Sequence, residues 1–349
     1  MPRRPLALAV ALLLGSCGGE DGASAPANDV PDATPDVADG APGAADAAPD
    51  TAIDAAPVPF SEKLSAMDLY EDLAKKTIHP RNTEFRPRFE LWSDGAEKRR
   101  WIALPKGSKI DSSDMDHWVF PVGTRVWKEF ARGEKRLETR LVEKTGEDSF
   151  RMGTYLWNDA QTEATWSTVG ANDVLGTTHD VPSETSCHRC HEGEPGRVLG
   201  FSAIQLAGAP GPTTLASVTA WLTVAPPAGV GVPGDATESA ALGYLHANCG
   251  SCHNPNDTLT FVAAGSELRL NVGEREVGKT KLFLTNVNVK TERFTSIPYR
   301  IAGGDTASSA IHIRMNRRDG SAMPMLGTEQ VDPSGLAAVK AWIDTLPAP

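Results

Sequence analysis

The spacing of apolar residues changes along the chain, and each change marks a different kind of element. Between Ser61 and Lys76 apolar side chains fall at Leu64, Met67, Leu69 and Leu73 behind a candidate cap, Ser61, which predicts a short helix. Beyond it the period drops to two. Lys98–Leu104, His117–Val122, Thr124–Phe130, Leu137–Val142, Phe150–Trp157 and Ala164–Val169 are rich in Val, Trp, Phe, Tyr and Thr and predict strands. Turn formers separate them at Pro105-Lys106-Gly107-Ser108, Ala131-Arg132-Gly133 and Trp157-Asn158-Asp159. Short strands without intervening helices predict an antiparallel sandwich or barrel-like sheet over about residues 85–175.

After a connector rich in Pro, Gly and Ala at 209–234, with a short apolar helix at Ala216–Val224, the helical period returns. Thr237 is placed to cap a helix over Glu238–Asn248, with Ala241, Leu242 and Leu245 on one face. Asp332 is placed to cap a last helix with Pro333 at its first position and Leu336, Val339, Trp342, Ile343 and Leu346 apolar. Glu267–Asn271 and Lys281–Val289 read as strand-like runs between these helices. The fold class is therefore mixed. An antiparallel β-rich domain, 85–208, is expected to follow a helical segment, 60–84. A linker, 209–234, leads to a mainly α domain, 235–349, with an inserted β-containing segment.

Composition changes the picture at the N-terminus. Met1-Pro2-Arg3-Arg4 and the apolar run Pro5–Leu14 form a charged n-region and a short h-region, too short to span a bilayer. The run ends Leu14-Gly15-Ser16-Cys17, which resembles the lipobox of bacterial lipoproteins. That resemblance implies cleavage and lipidation at Cys17 and hence an exported chain anchored to a bacterial membrane on its periplasmic side or at the cell surface. The stretch 18–59 is Ala, Asp, Pro and Gly, too poor in apolar surface to order itself, and reads as a disordered acidic tether. The formal charge of −11 is concentrated there: without residues 1–57 the chain holds 36 acids and 32 bases. A body this close to neutral gives no reason to expect a nucleic-acid partner.

Cysteine carries the chemistry. Of five, four fall in two copies of one pattern, Cys187-His188-Arg189-Cys190-His191 and Cys249-Gly250-Ser251-Cys252-His253. Two thiols three residues apart can form thioethers with a porphyrin's vinyl groups, and the histidine that follows can ligate its iron, so each copy reads as a haem c attachment site. The cofactors expected are two covalently attached haem c groups, with Cys187, Cys190, Cys249 and Cys252 as attachment points and His191 and His253 as metal ligands. A four-thiolate zinc site is the alternative, and it leaves both histidines without a role. For the first haem's sixth ligand His179 is favoured by its nearness in the chain; His117, Met152, His188 and an open position are the others.

Tyr244-Leu245-His246-Ala247-Asn248-Cys249-Gly250-Ser251-Cys252-His253-Asn254-Pro255 resembles the haem-binding start of bacterial cytochrome c domains, and Ala322-Met323-Pro324-Met325-Leu326-Gly327 resembles their segment that supplies a distal methionine. The resemblance implies a cytochrome c-like fold for 235–349 with His253 and Met323 as the iron ligands; Met315 is the other contender. The 69 residues between His253 and Met323 make this an elaborated version. Residues 85–349 as a whole resemble a family of exported bacterial proteins with a β-rich region, a first CxxCH and a C-terminal cytochrome c unit. Phe120-Pro121-Val122-Gly123-Thr124, Glu138-Thr139-Arg140, Thr154-Tyr155-Leu156-Trp157-Asn158 and Pro182-Ser183 carry that likeness.

The expectation is a membrane-anchored di-haem electron carrier with redox proteins as partners. A di-haem, peroxidase-like enzyme with one five-coordinate haem is the alternative. A ligand-binding module is a third reading, since Trp92, Trp101, Trp118, Trp127, Trp157 and Trp166 all fall in or beside the strands. Aromatics at alternating strand positions are more often packed inward, so the tryptophans are expected in the core.

Overall fold

The computed structural model describes residues 57–256, 265–292 and 296–349, all within one unit, Ala48–Pro349. Residues 1–56, on which the expected leader, Cys17 and nearly all of the expected tether fall, lie outside the described residues. Among the described residues no helix is long and apolar enough to cross a membrane.

The fold is mixed. Strands β1 (Tyr70–Asp72) and β2 (Thr77–Ile78) form a small hairpin. Six strands make the main sheet: β3 (Thr83–Glu84), β4 (Glu97–Ala103), β5 (Arg125–Arg132), β6 (Lys135–Lys144), β7 (Phe150–Trp157) and β8 (Ala164–Ser167). Each pairs antiparallel with the next in sequence, an up-and-down meander in one open layer, not a sandwich or barrel. The β5–β6 turn passes through Gly133 at φ +56°, a left-handed conformation glycine adopts without a Cβ clash.

Period-two patterning sorts the sheet's two faces. Trp101, Trp127, Leu141 and Tyr155 are fully buried on one side, against Leu64, Met67, Leu69 and Tyr70. This explains why 61–76 is not the expected helix. Only Leu64–Ala66 makes a helical turn before the chain extends into β1, because burying those apolar residues on the sheet outweighs their local helical spacing. The other face carries Ile102, Val126 and Val142 in one cross-strand row and Arg100, Lys128 and Arg140 in the next.

A second core joins Phe85, Ile102, Ile110, Trp118, Phe120, Phe201 and Leu222. The expected strand at His117–Val122 is absent. That segment makes only an isolated bridge, Asp111 to Val119, and contributes Trp118 and Phe120 to this cluster. Trp101, Trp118, Trp127 and Trp157 are buried while Trp92 and Trp166 are half-buried, so these tryptophans form core and not an exposed stripe.

Helices follow: α1 (Glu184–His191), α2 (Ala203–Leu206), α3 (Ala236–Asn248), α4 (Lys281–Asn286), α5 (Ala310–Met315) and α6 (Pro333–Thr345). Helix α3 starts two residues earlier than a Thr237 cap allows. The Asp235 side chain accepts the Thr237 and Glu238 amides, and Glu238 accepts the Asp235 amide in return, a reciprocal box worth about 1 kcal/mol. Asp332 caps α6 as its spacing predicts. Helices α3 and α6 pack so closely that a Cβ on Gly335 would come within 2.0 Å of the Tyr244 ring. Leu242, Leu245, Leu268, Leu282, Val339, Trp342 and Ile343 form the core between them. Lys281–Asn286 is helix and not strand, because Thr280 caps it through the Phe283 amide at 3.0 Å. Glu267–Asn271 joins no strand ladder, and the one helical element within 216–224 is the turn Thr219–Trp221.

Candidate functional site

Ser183 starts α1 by accepting the Ser186 amide, and the helix then carries the first motif whole. Cys187, Cys190 and His191 stand at i, i+3 and i+4, so one helix face presents two thiols and an imidazole together. The second motif begins where α3 ends. Cys249 is the C-terminal cap, its amide bonded to the Leu245 carbonyl at 2.9 Å, and the chain turns through Gly250 and Ser251 to Cys252 and His253.

Both motifs open on one cavity. It spans about 2420 Å³ of space, counting the part open to solvent. Cys187, Cys190, His191, Cys249, Cys252 and His253 all line it. Val126, Lys128, Arg140 and Val142 of the sheet form one wall; Leu268, Met315 and Met323 belong to another.

The motifs also touch each other. The Cys252 thiol lies 3.6 Å from the Arg189 carbonyl. A Cβ on Gly193 would fall 2.0 Å from the Ser251 carbonyl oxygen, so only glycine permits this approach. Arg269 clamps the junction through Glu194 at 2.6 Å.

Electrostatics differ from thiol to thiol. Burial pushes Cys249 up to about 12 and raises Cys187 as well, whereas a hydrogen bond from Cys252, against the effect of burial, holds Cys190 down to about 7. His191 and His253 are both lowered to about 4, by burial first and then by nearby cations. Neutral imidazole at ordinary pH is the form that ligates a metal. The His191 Nδ1 lies 2.6 Å from the Arg197 carbonyl oxygen, which fixes the ring and leaves Nε2 the lone pair. Among the described residues no three His, Cys, Asp or Glu side chains converge closely enough to hold a metal ion by themselves.

Met323 lies in the cavity wall, half-buried, its amide bonded to the Arg314 carbonyl at 3.0 Å. Met315 also lines the cavity but is 5 % exposed and part of the α3–α6 core. His179 is not among the residues lining the cavity. Its Nε2 is 2.8 Å from Glu138 Oε1, with its ring against Phe130. Glu138, fully buried, also holds Arg140 at 2.6 Å and accepts the Thr154 hydroxyl at 2.9 Å. His117, Met152 and His188 are likewise not among the residues lining the cavity.

Sequence reasoning missed the cationic wall formed by Arg100, Lys128 and Arg140. Its signal was present: these charges occupy the same strand parity as Ile102, Val126 and Val142, where an inward apolar residue is expected. It also missed Arg197, whose role is carried by a main-chain carbonyl that no side-chain pattern reveals. Compared with protein-family models, curated proteins and solved structures, the chain matches none.

Proposed function

We propose that this chain is an exported, membrane-anchored di-haem c-type cytochrome that passes electrons between extracytoplasmic redox partner proteins. The observation that carries the reading is the shared cavity: two CxxCH motifs, 62 residues apart between their first cysteines, turn all four thiols and both histidines into one space. The residues fit the group. Cys187 with Cys190 and Cys249 with Cys252 are the attachment pairs; His191 and His253 are neutral imidazoles; Met323 supplies a thioether. Apolar side chains such as Val126, Val142 and Leu268 suit a porphyrin face.

Haem supplies the one-electron chemistry, while the chain supplies ligands, burial and orientation. Contact between the motifs at Gly193 and Ser251 supports direct exchange between the two centres. Lipidation of Cys17 is the anchor in this reading, and it stands on the lipobox pattern alone.

The test is the optical and EPR spectrum of the matured protein with a pyridine haemochrome count. Two haems per chain, both low-spin and neither binding carbon monoxide, are expected. A chain that matures with no haem, and instead with zinc or a disulfide, overturns the reading. One observation favours the enzyme alternative: His179, His117, Met152 and His188 are all outside the cavity lining. A high-spin haem at His191 that takes up carbon monoxide or peroxide would establish it.

A further inference from the structure

Three cations stand side by side on the cavity wall. Arg100 pairs in register with Lys128 and Lys128 with Arg140, so their side chains leave β4, β5 and β6 in one line. Like charges placed opposite one another across strands destabilise a sheet. Two of the three have carboxylates: Arg140 has Glu138 at 2.6 Å, and Arg100 reaches Glu90 at 3.4 Å, which Lys98 also approaches at 3.8 Å. Lys128, the middle one, does not. Among the described residues its ammonium makes no ion pair or hydrogen bond, and its partner is the Phe130 ring, 4.9 Å from Nζ to centroid. Arg100 Nη1 is buried without a hydrogen-bond partner. With Arg86 also on Glu90 at 2.7 Å, five cations share two carboxylates around the open space.

That arrangement costs stability. Burial drives Lys128 well below the usual lysine range, with Arg100, Arg140 and Lys98 pushing the same way and Glu138 opposing them. Burial also holds Lys98 down to about 8, against the pull of Glu90. An unpaired cation among cations is retained inside a fold most simply where an anion completes it.

We propose that Arg100, Lys128 and Arg140 form a carboxylate-binding site on the cavity wall, centred on Lys128. A planar carboxylate can take charge-assisted hydrogen bonds from both guanidinium groups and from the ammonium between them. Two sources share that chemistry: a carboxylate borne by a porphyrin seated in the cavity, or a free small carboxylate entering from solvent. The first rests on the di-haem reading; the second does not.

The experiment compares the matured wild-type chain with Lys128→Met, which keeps the stem, and Lys128→Arg, which keeps the charge. The haem count is taken first, then midpoint potentials by redox titration, spin state, and formate affinity by calorimetry. With a porphyrin carboxylate in the site, one of two midpoints falls in Lys128→Met and returns in Lys128→Arg, and formate does not bind the wild type. With a free anion, formate binds the wild type and loses about tenfold or more in Lys128→Met, the loss of one charge-assisted bond, while both midpoints hold. Unchanged midpoints and unchanged formate affinity in a two-haem Lys128→Met chain overturn the proposal. So does conversion of a low-spin haem to high-spin, which makes Lys128 an iron ligand instead. If wild type carries no haem, the di-haem reading fails by itself, and the formate titration alone then decides the site.

Discussion

His191 donates from Nδ1 to the carbonyl oxygen of Arg197 at 2.6 Å, and that single bond decides which nitrogen faces the cavity. Its neighbour His188 is 38 % exposed, with Glu192 at 3.6 Å. The two histidines of the first motif therefore differ in kind. His191→Ala is expected to abolish the low-spin spectrum of one haem, while His188→Ala leaves both spectra unchanged. Equal effects in optical spectra of the two variants would remove His191 from the ligand role.

Met323 and Met315 both line the cavity, but only Met315 belongs to the core. Met315→Ala should cost about 2–5 kcal/mol in urea unfolding, as truncation of a packed methionine does. Met323→Ala should unfold close to wild type yet lose a methionine-to-iron charge-transfer band and lower one midpoint potential, since a thioether favours reduced iron. The reverse pattern would exchange their roles.

Glu138 gives the sheet a pH dependence. Burial alone would raise its carboxyl, but Arg140 and His179 outweigh that and hold it at about 2 against an ordinary 4.5. A carboxylate held low in the folded state contributes fully above about pH 4.5 and loses its contribution as the pH falls toward 2. The contribution is on the order of 3 kcal/mol. Glu138→Gln should lose about that much at pH 7, because Arg140 loses its counter-charge, and should flatten the stability profile between about pH 5 and 2. Chemical denaturation at a series of pH values measures both.

Gly193 is where the two motifs meet. Gly193→Ala drives a Cβ into the Ser251 carbonyl, a main-chain atom, and should cost about 1–3 kcal/mol. Gly107→Ala is the control: no atom lies within 4 Å of its Cβ, so only the strain of φ +72° remains, about 1 kcal/mol. If haem–haem exchange runs through this junction, Gly193→Ala also slows it in flash-reduction kinetics, and Gly107→Ala does not.

How much of this was legible depends on whether the signal was local. Strands β4 to β8 could be placed to within a few residues because alternation at Trp101, Trp127 and Tyr155 is written into each strand separately. Helix α6 was legible from Asp332 and Pro333, a cap and a first turn that sit next to each other in the chain. The two CxxCH patterns were legible for the same reason, each lying within five consecutive residues. What was not legible is whatever depends on partners far away. The apolar residues from Leu64 to Leu69 do not form one helix because a sheet 30 or more residues later offers them a surface. His179 was favoured for its nearness to Cys187, yet its bond runs to Glu138, 41 residues earlier. The cationic row exists only through strand register, which a sequence states one strand at a time.

The meander has a temporal consequence. Each of its strands pairs with the next in sequence, so the whole sheet can assemble from short-range contacts once residue 167 has been made. The cavity cannot. Its lining runs on to Thr328, about 140 residues past Cys187. A chain that emerges N-terminus first therefore holds its first pair of thiols on an open shelf long before the opposite wall arrives, and whatever is to be bonded there meets an unroofed site.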